Sequence, residues 1–230
     1  MRNRRATGET DAIEMRGINK AFGPVKALEN ANLVVQTGTI HGLVGQNGAG
    51  KSTIIKVLAG IYGRDSGDVS VFGNPLEAIS PASIEAQGVH FIHQDRLLVP
   101  TATVAESIFL RNEPKVGPFV NIRLMKRHAR ELLQRYFEVD IDPGTLISEL
   151  STAQQKIVQI TRALAHDAKV LVLDEPTAAL VSREVKNLFA VLRRLKGEGL
   201  AIVFISHYMA EIEEVCDVVT VLRNGADVGV

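Results

Sequence analysis

Cysteine is almost missing from this chain. Cys216 stands alone among 230 residues, so no disulfide can form within it, and a reducing compartment fits best. Net charge is missing too. Lys plus Arg and Asp plus Glu both number 26, and that balance argues against a broad nucleic-acid footprint, which needs a basic excess. No apolar run approaches the ~20 residues that cross a bilayer. The basic opening, Met1-Arg2-Asn3-Arg4-Arg5, leads into polar residues rather than a hydrophobic stretch. It is read as a frayed tail over 1–12 and not as a signal peptide. Together these absences predict a soluble, cytoplasmic protein that meets a membrane only through a partner. Cys216 sits within Val215-Cys216-Asp217-Val218-Val219, where packing rather than reactivity is expected.

What the chain does have is a glycine loop in the right place. Gly45, Gln46, Asn47, Gly48, Ala49, Gly50, Lys51, Ser52 and Thr53 satisfy G-x-x-x-x-G-K-[ST]. An apolar run precedes them over 40–44, and a helix-like stretch follows over 54–59. Strand, glycine turn and helix form the context in which this motif binds phosphate. Backbone N–H groups bare of side chains line a concavity at a helix N-terminus. Lys51 is expected to reach the β- and γ-phosphates of a nucleoside triphosphate, and the Ser52 hydroxyl to ligate Mg²⁺.

Hydrophobic periodicity places early strands over 13–18, 31–36, 39–44 and 68–72, and a core strand over 88–93. From about 97 to 166 the pattern turns helical, with helices over 103–110, 123–136 and 151–165. This stretch interrupts a strand–helix alternation and is read as an inserted helical subdomain between core segments 13–96 and 167–230. Alternation resumes with a doubly buried strand over 169–173, a helix over 182–196, a strand over 201–205, a short helix over 208–215 and a last strand over 218–222. After the turn Arg223-Asn224-Gly225 no closing helix or cap is visible.

A second motif is Leu171-Val172-Leu173-Asp174-Glu175-Pro176. An acidic pair at the end of a buried strand lies at the sheet edge where α/β proteins bind ligands. Asp174 fits the Mg²⁺-holding carboxylate of such sites, and Glu175 is placed to orient and deprotonate an attacking water. Gln94, after the strand that ends near His93, either reaches the metal or water through its side-chain oxygen or sits in solvent. His207, after Phe204-Ile205-Ser206, either hydrogen-bonds the terminal phosphate or packs. The basic run Lys126-Arg127-His128-Ala129-Arg130 reads as a solvated helix face.

The order of these motifs, with Leu150-Ser151-Thr152-Ala153-Gln154-Gln155 between them, resembles the ATP-binding subunits of ABC transporters. More narrowly, it resembles the first nucleotide-binding half of bacterial simple-sugar importers of the ribose, xylose and galactose type. Supporting residues include Gly23-Pro24-Val25-Lys26-Ala27-Leu28, His41-Gly42-Leu43-Val44-Gly45 and Thr103 to Leu110. The resemblance implies an α/β P-loop NTPase core of RecA-like type with an antiparallel β subdomain and the inserted α-helical subdomain. It implies ATP and Mg²⁺ as ligands, with Phe22 stacking on adenine. It also implies that Gln94 couples the nucleotide to a permease, and that Ser151 and Gln154 belong to a signature helix facing the ATP of a second nucleotide-binding half. Transmembrane permease subunits and, indirectly, a periplasmic solute-binding protein are the implied partners, and the cytoplasmic face of the inner membrane is the implied location. A soluble ABC-type ATPase acting on nucleic acid or ribosomes, or a nucleotide-gated module without hydrolysis, are the competing readings.

Two departures bear on mechanism. The family signature carries glycines where this chain has Thr152 and Ala153, and added Cβ atoms hinder close approach of backbone to phosphate. Val181 stands where the family commonly has an aspartate. An asymmetric pair of ATP pockets is therefore expected, the one that receives Ser151 to Gln154 being slow or structural. The stop at Val230, with one copy of each motif, is read as a fragment of a longer polypeptide, with a half-size subunit as the alternative.

Overall fold

The computed structural model describes residues 11–92 and 98–229. In chain order it begins with β1 (Asp11–Phe22), β2 (Val25–Gln36), β3 (Ile40–Val44), α1 (Lys51–Leu58), β4 (Ser66–Val71), β5 (Asn74–Pro75), α2 (Pro81–Ala86) and β6 (Val89–Ile92). The helical stretch follows as α3 (Val104–Phe109), the two-residue strands β7 (Lys115–Val116) and β8 (Phe119–Val120), α4 (Ile122–Phe137) and α5 (Thr152–Ala165). The chain then returns to alternation with β9 (Val170–Asp174), α6 (Ser182–Gly197), β10 (Ala201–Ile205), α7 (Met209–Val215), β11 (Val218–Arg223) and β12 (Ala226–Gly229).

Two sheets carry the core. One is antiparallel, in the order β2-β1-β4-β5; the other runs β12-β11-β3-β10-β9-β6 and is parallel except for β12. Every residue of β3 and β10 is buried, which is why β10 reads as an unbroken apolar run and β3 as one interrupted only by His41, rather than as alternation. On one face of the parallel sheet, Leu43, Val172 and Val203 pack with Ile54 and Leu58 of α1 and with Ile13, Met15 and Leu33 of the antiparallel sheet. On the other face, Ile40, Leu171, Ile202 and Phe204 pack against Leu188, Phe189, Leu192 and Leu195 of α6. The Phe189 and Phe204 rings meet edge to face at 5.8 Å, the arrangement favoured by the aromatic quadrupole.

The helical subdomain has its own core. Val104 and Ile108 of α3, Met125, Ala129 and Leu133 of α4, and Val158 of α5 pack together. The four-residue spacing of the α4 set puts one stripe inward and leaves the Lys126–Arg130 face exposed, as an amphipathic helix requires. Helix α5 serves two cores, since Ile160, Ala163 and Leu164 turn to the α6 side of the parallel sheet. It thereby couples the subdomain to the sheet.

Strand and helix placement largely follow the hydrophobic pattern, though α2, β5 and the β7–β8 hairpin within the helical stretch were not expected, and three further corrections apply. The first strand starts at Asp11, so Asp11 and Ala12 leave the expected tail, and Ala12 is fully buried. Strand β2 begins at Val25 rather than near Ala31. Its first half, with Lys26, Glu29 and Asn30, is exposed hairpin that hydrogen-bonds to β1 without hydrophobic alternation to announce it. Last, the residues after the turn at 223–225 form β12, which pairs with β11 and ties back to the antiparallel sheet through Asp227. The Asp227 carboxylate accepts from both the backbone and the side-chain N–H groups of Asn32, at 2.8 and 2.9 Å. That bond spans 195 residues, so no local pattern could reveal it.

Candidate functional site

The parallel strands deliver their carboxyl ends to one edge of the sheet. There Val44 opens into the glycine loop, Asp174 leads to Glu175, and Ile205 leads to Ser206 and His207. Strand β10 lies between β3 and β9. The phosphate loop, the acidic pair and the histidine therefore come from three adjacent strands.

Gly45 and Gly50 are needed for close packing. A Cβ on Gly45 would run into the Leu222 carbonyl oxygen of β11, and one on Gly50 would sit 2.9 Å from the Ala27 oxygen. Gly48 differs, with φ 81° and nothing within 4 Å of its missing Cβ. Its openness leaves the loop's N–H groups accessible to a phosphate. Helix α1 starts at Lys51 with no side-chain cap, so its first N–H groups remain for an anion. The Lys51 ammonium donates to the Gly45 and Gln46 carbonyls at 2.6 and 3.1 Å, which pins it across the mouth of the loop. Gln46, Asn47, Gly48 and Ser52 are exposed, and Ala49 is buried. Thr53 is partly buried one position further along the helix.

The loop has a wall that sequence reading missed. Gly225, in the β11–β12 turn, donates to the Ala49 carbonyl at 3.0 Å, and its own carbonyl accepts from Glu29 at 2.8 Å. The far end of the chain thus braces the loop against β2.

Glu175 sits just past β9 with φ 45°, a left-handed conformation that costs a non-glycine residue about 1–2 kcal/mol. Its N–H donates to the Ile205 carbonyl at 3.0 Å. Its Oε1 lies 3.2 Å from Nδ1 of His207. The sequence marked both residues as candidates but did not show that they pair. Also unmarked was Glu211 in the first turn of α7, whose Oε2 accepts from the Ser206 hydroxyl at 2.6 Å and the Thr177 hydroxyl at 2.9 Å.

Ser52 and Asp174 offer a hydroxyl and a carboxylate, hard oxygen donors of the kind Mg²⁺ takes alongside water and substrate phosphates. The donor set therefore fits that ion. On α5, burial holds the Lys156 ammonium's pKa below its ordinary value, with the Asp174 carboxylate pulling the other way. Gln94 lies outside the described residues. Phe22 ends β1 at the hairpin tip and remains 43% exposed. Its ring meets Tyr62 edge to face at 5.0 Å, which leaves surface to stack on a base.

Ser151 and Gln154 lie at the start of α5. Ser151 caps α5, its hydroxyl accepting from the Gln154 N–H at 3.3 Å, while the Gln154 side chain accepts from the Ser151 N–H at 2.9 Å. This reciprocal capping box presents a helix N-terminus toward solvent. Thr152, the next residue, is exposed. Cys216 is packed, and burial pushes its thiol up to about 12, which removes it from nucleophilic chemistry at neutral pH.

A glycine loop, an acidic strand end and a histidine on one edge of a parallel sheet, with a helical insert beside them, define an ATP-binding cassette of the P-loop class. The pattern of the family described as ABC transporter matches residues 28–178, and the chain belongs to that family. Ribose import ATP-binding protein RbsA of Cereibacter sphaeroides is 66% identical over 219 residues, which cover 95% of this chain and 44% of that protein. The protein of the same name from Pseudomonas putida is 52% identical, over 95% of this chain and 43% of its own length. The chain thus spans less than half the length of these relatives. Among solved structures, an ATP-binding cassette of an ABC transporter in its ADP conformation aligns with a TM-score of 0.84 at 26% identity, over 96% of this chain and 90% of that one. Among the described residues no helix is long and apolar enough to cross a membrane.

Proposed function

We propose that this chain binds and hydrolyses ATP to power import of a simple sugar, of the ribose class, through a membrane permease. The observation that carries the chemistry is the meeting of the glycine loop, Asp174, Glu175 and His207 at one sheet edge. The substrate class rests on the names of the relatives, ribose import ATP-binding proteins at 66% and 52% identity.

In this reading the loop N–H groups and Lys51 hold the β- and γ-phosphates, and Phe22 stacks on adenine. Mg²⁺, held by Ser52 and Asp174, supplies positive charge against the phosphate oxygens when bound. Glu175 accepts the proton of a water as its oxygen attacks the γ-phosphorus, and the bond to the β-phosphate oxygen breaks. His207, bonded to Glu175 on one side, fixes that carboxylate and lies within reach of the transferred phosphoryl group. Gln94 links the site to the permease.

The working unit pairs this chain with a second nucleotide-binding half, each ATP lying between one glycine loop and the other half's signature helix. Thr152 and Ala153 make the pocket they face the slower one. The pair sits peripherally on the cytoplasmic face of the inner membrane, supplied by a periplasmic solute-binding protein, and has no nucleic-acid partner. Reconstitution of the full-length protein with its permease in vesicles tests the reading. ATP-dependent ribose uptake that fails with Glu175→Gln is expected; stable purification without any permease, and uptake indifferent to ATP, would overturn it.

A further inference from the structure

We propose that Glu211 is a positioning residue that sets the Glu175–His207 pair, an inference that rests on the ATPase reading of the same site. One carboxylate oxygen of Glu211 accepts from two hydroxyls on two separate segments. Thr177 lies two residues beyond Glu175, and Ser206 immediately precedes His207. Both hydroxyl-bearing residues are buried, at 5% and 3% exposure. The Ser206 oxygen in turn accepts from the Tyr208 N–H at 3.0 Å. The loop after β9, the loop after β10 and the first turn of α7 are therefore tied at a single atom.

That knot stands where it matters. Glu175 holds a left-handed backbone conformation, which persists only when the surroundings over-determine it. The Glu175 N–H bond to Ile205 fixes one side of the turn, and the Thr177 bond to Glu211 fixes the other. Hydrogen bonds to an ionised acceptor are short and strong, and the 2.6 Å separation to Ser206 is of that kind. Glu211 touches neither Glu175 nor His207 through these bonds; it acts on the backbone that carries each of them.

The test compares Glu211→Ala and Glu211→Gln in the assembled complex of full-length protein, partner half and permease. Glu211→Ala is expected to lower kcat for ATP by about 10- to 100-fold, the scale of a misplaced catalytic group, with ATP affinity unchanged within about threefold. Glu211→Gln keeps an acceptor oxygen for both hydroxyls and is expected to recover most of the rate. In a His207→Ala background Glu211→Ala is expected to add little, because both changes act through one pair. An unchanged kcat, equal losses of kcat and affinity, or full multiplication of the two effects would overturn the proposal. A crystal structure of Glu211→Ala reads the same point without turnover. Separation of Glu175 Oε1 and His207 Nδ1 beyond about 4 Å supports positioning, and retention of the 3.2 Å contact overturns it. If the unaltered complex has no ATPase activity the functional reading falls, and the distance still decides the role of Glu211.

Discussion

Glu175 and His207 face each other across the ends of neighbouring strands, with carboxylate Oε1 and imidazole Nδ1 3.2 Å apart. Glu175 follows the end of β9 and His207 lies just beyond the end of β10, and these strands pair in register up to Asp174 and Ile205. The contact follows directly from strand order. Its position at the carboxyl edge beside the glycine loop is what the proposed roles, Glu175 as base and His207 as its restraint, rest on.

Removing the base while keeping its shape separates binding from chemistry. Glu175→Gln is expected to lower ATP turnover by about 10²- to 10⁴-fold, the usual contribution of a general base, while the altered protein still binds ATP. A phosphate-release assay beside a fluorescent-nucleotide titration measures both. A fall in affinity parallel to the fall in rate would place Glu175 in binding instead.

The loop's packing should make Gly45 intolerant of any side chain. Gly45→Ala would force its Cβ against the Leu222 carbonyl oxygen, at an expected loss of about 1–3 kcal/mol from overpacking. Gly48→Ala adds a Cβ to open space at φ 81°, so its cost to folding is backbone strain of about 1–2 kcal/mol without a clash, and it should also disturb the N–H groups offered to a phosphate. Denaturant melts and ATP titration of both variants check the contrast.

His41 gives the fold a dependence on pH. The ring is buried in β3, bonds to the Thr220 hydroxyl at 2.8 Å, and is pushed by desolvation from 6.5 to about 4. The unfolded chain therefore takes up a proton near pH 6.5 that the folded chain refuses until about 4. Stability is fully present above 6.5 and falls as pH drops toward 4, by up to about 3 kcal/mol. Burial lowers His90 as well, so its effect has the same sign. Urea melts at pH 7.5 and pH 5 are expected to show the loss, and His41→Gln, which does not titrate, should reduce it.

The signature departures predict asymmetric turnover. The double change Thr152→Gly with Ala153→Gly should raise ATP hydrolysis in the assembled pair. The structural cost is small, about 1 kcal/mol for each glycine at most, because Thr152 is exposed and Ala153 only partly buried. An unchanged rate, or full turnover by this chain alone, would remove the asymmetry.

The sequence made the chemistry more legible than its supports. Lys51, Asp174 and Glu175 could be named as candidates because each lies within a few residues of the strand end or turn that positions it. Helix α4 was legible because Met125, Ala129 and Leu133 recur every four residues. The strut of Gly225 behind Ala49, the Asp227–Asn32 tie and the Glu211 knot were not. Each joins segments apart in the chain, the first through the backbone of a turn glycine and the other two through a carboxylate that locally looks like ordinary turn or solvated helix. Glu211 in particular lies in Tyr208-Met209-Ala210-Glu211, a run with nothing to separate a clamp from a surface carboxylate. Strand β12 escaped notice because four residues carry too short a pattern to distinguish edge strand from tail.

Calorimetric titration with Mg-ATP of the unaltered protein and of Lys51→Ala tests the nucleotide cradle most directly. The geometry predicts one ATP per chain for the first and affinity weaker by about 10- to 100-fold for the second, the worth of a lost charged hydrogen bond. Absence of binding to the unaltered protein, or equal affinity in both, would contradict it.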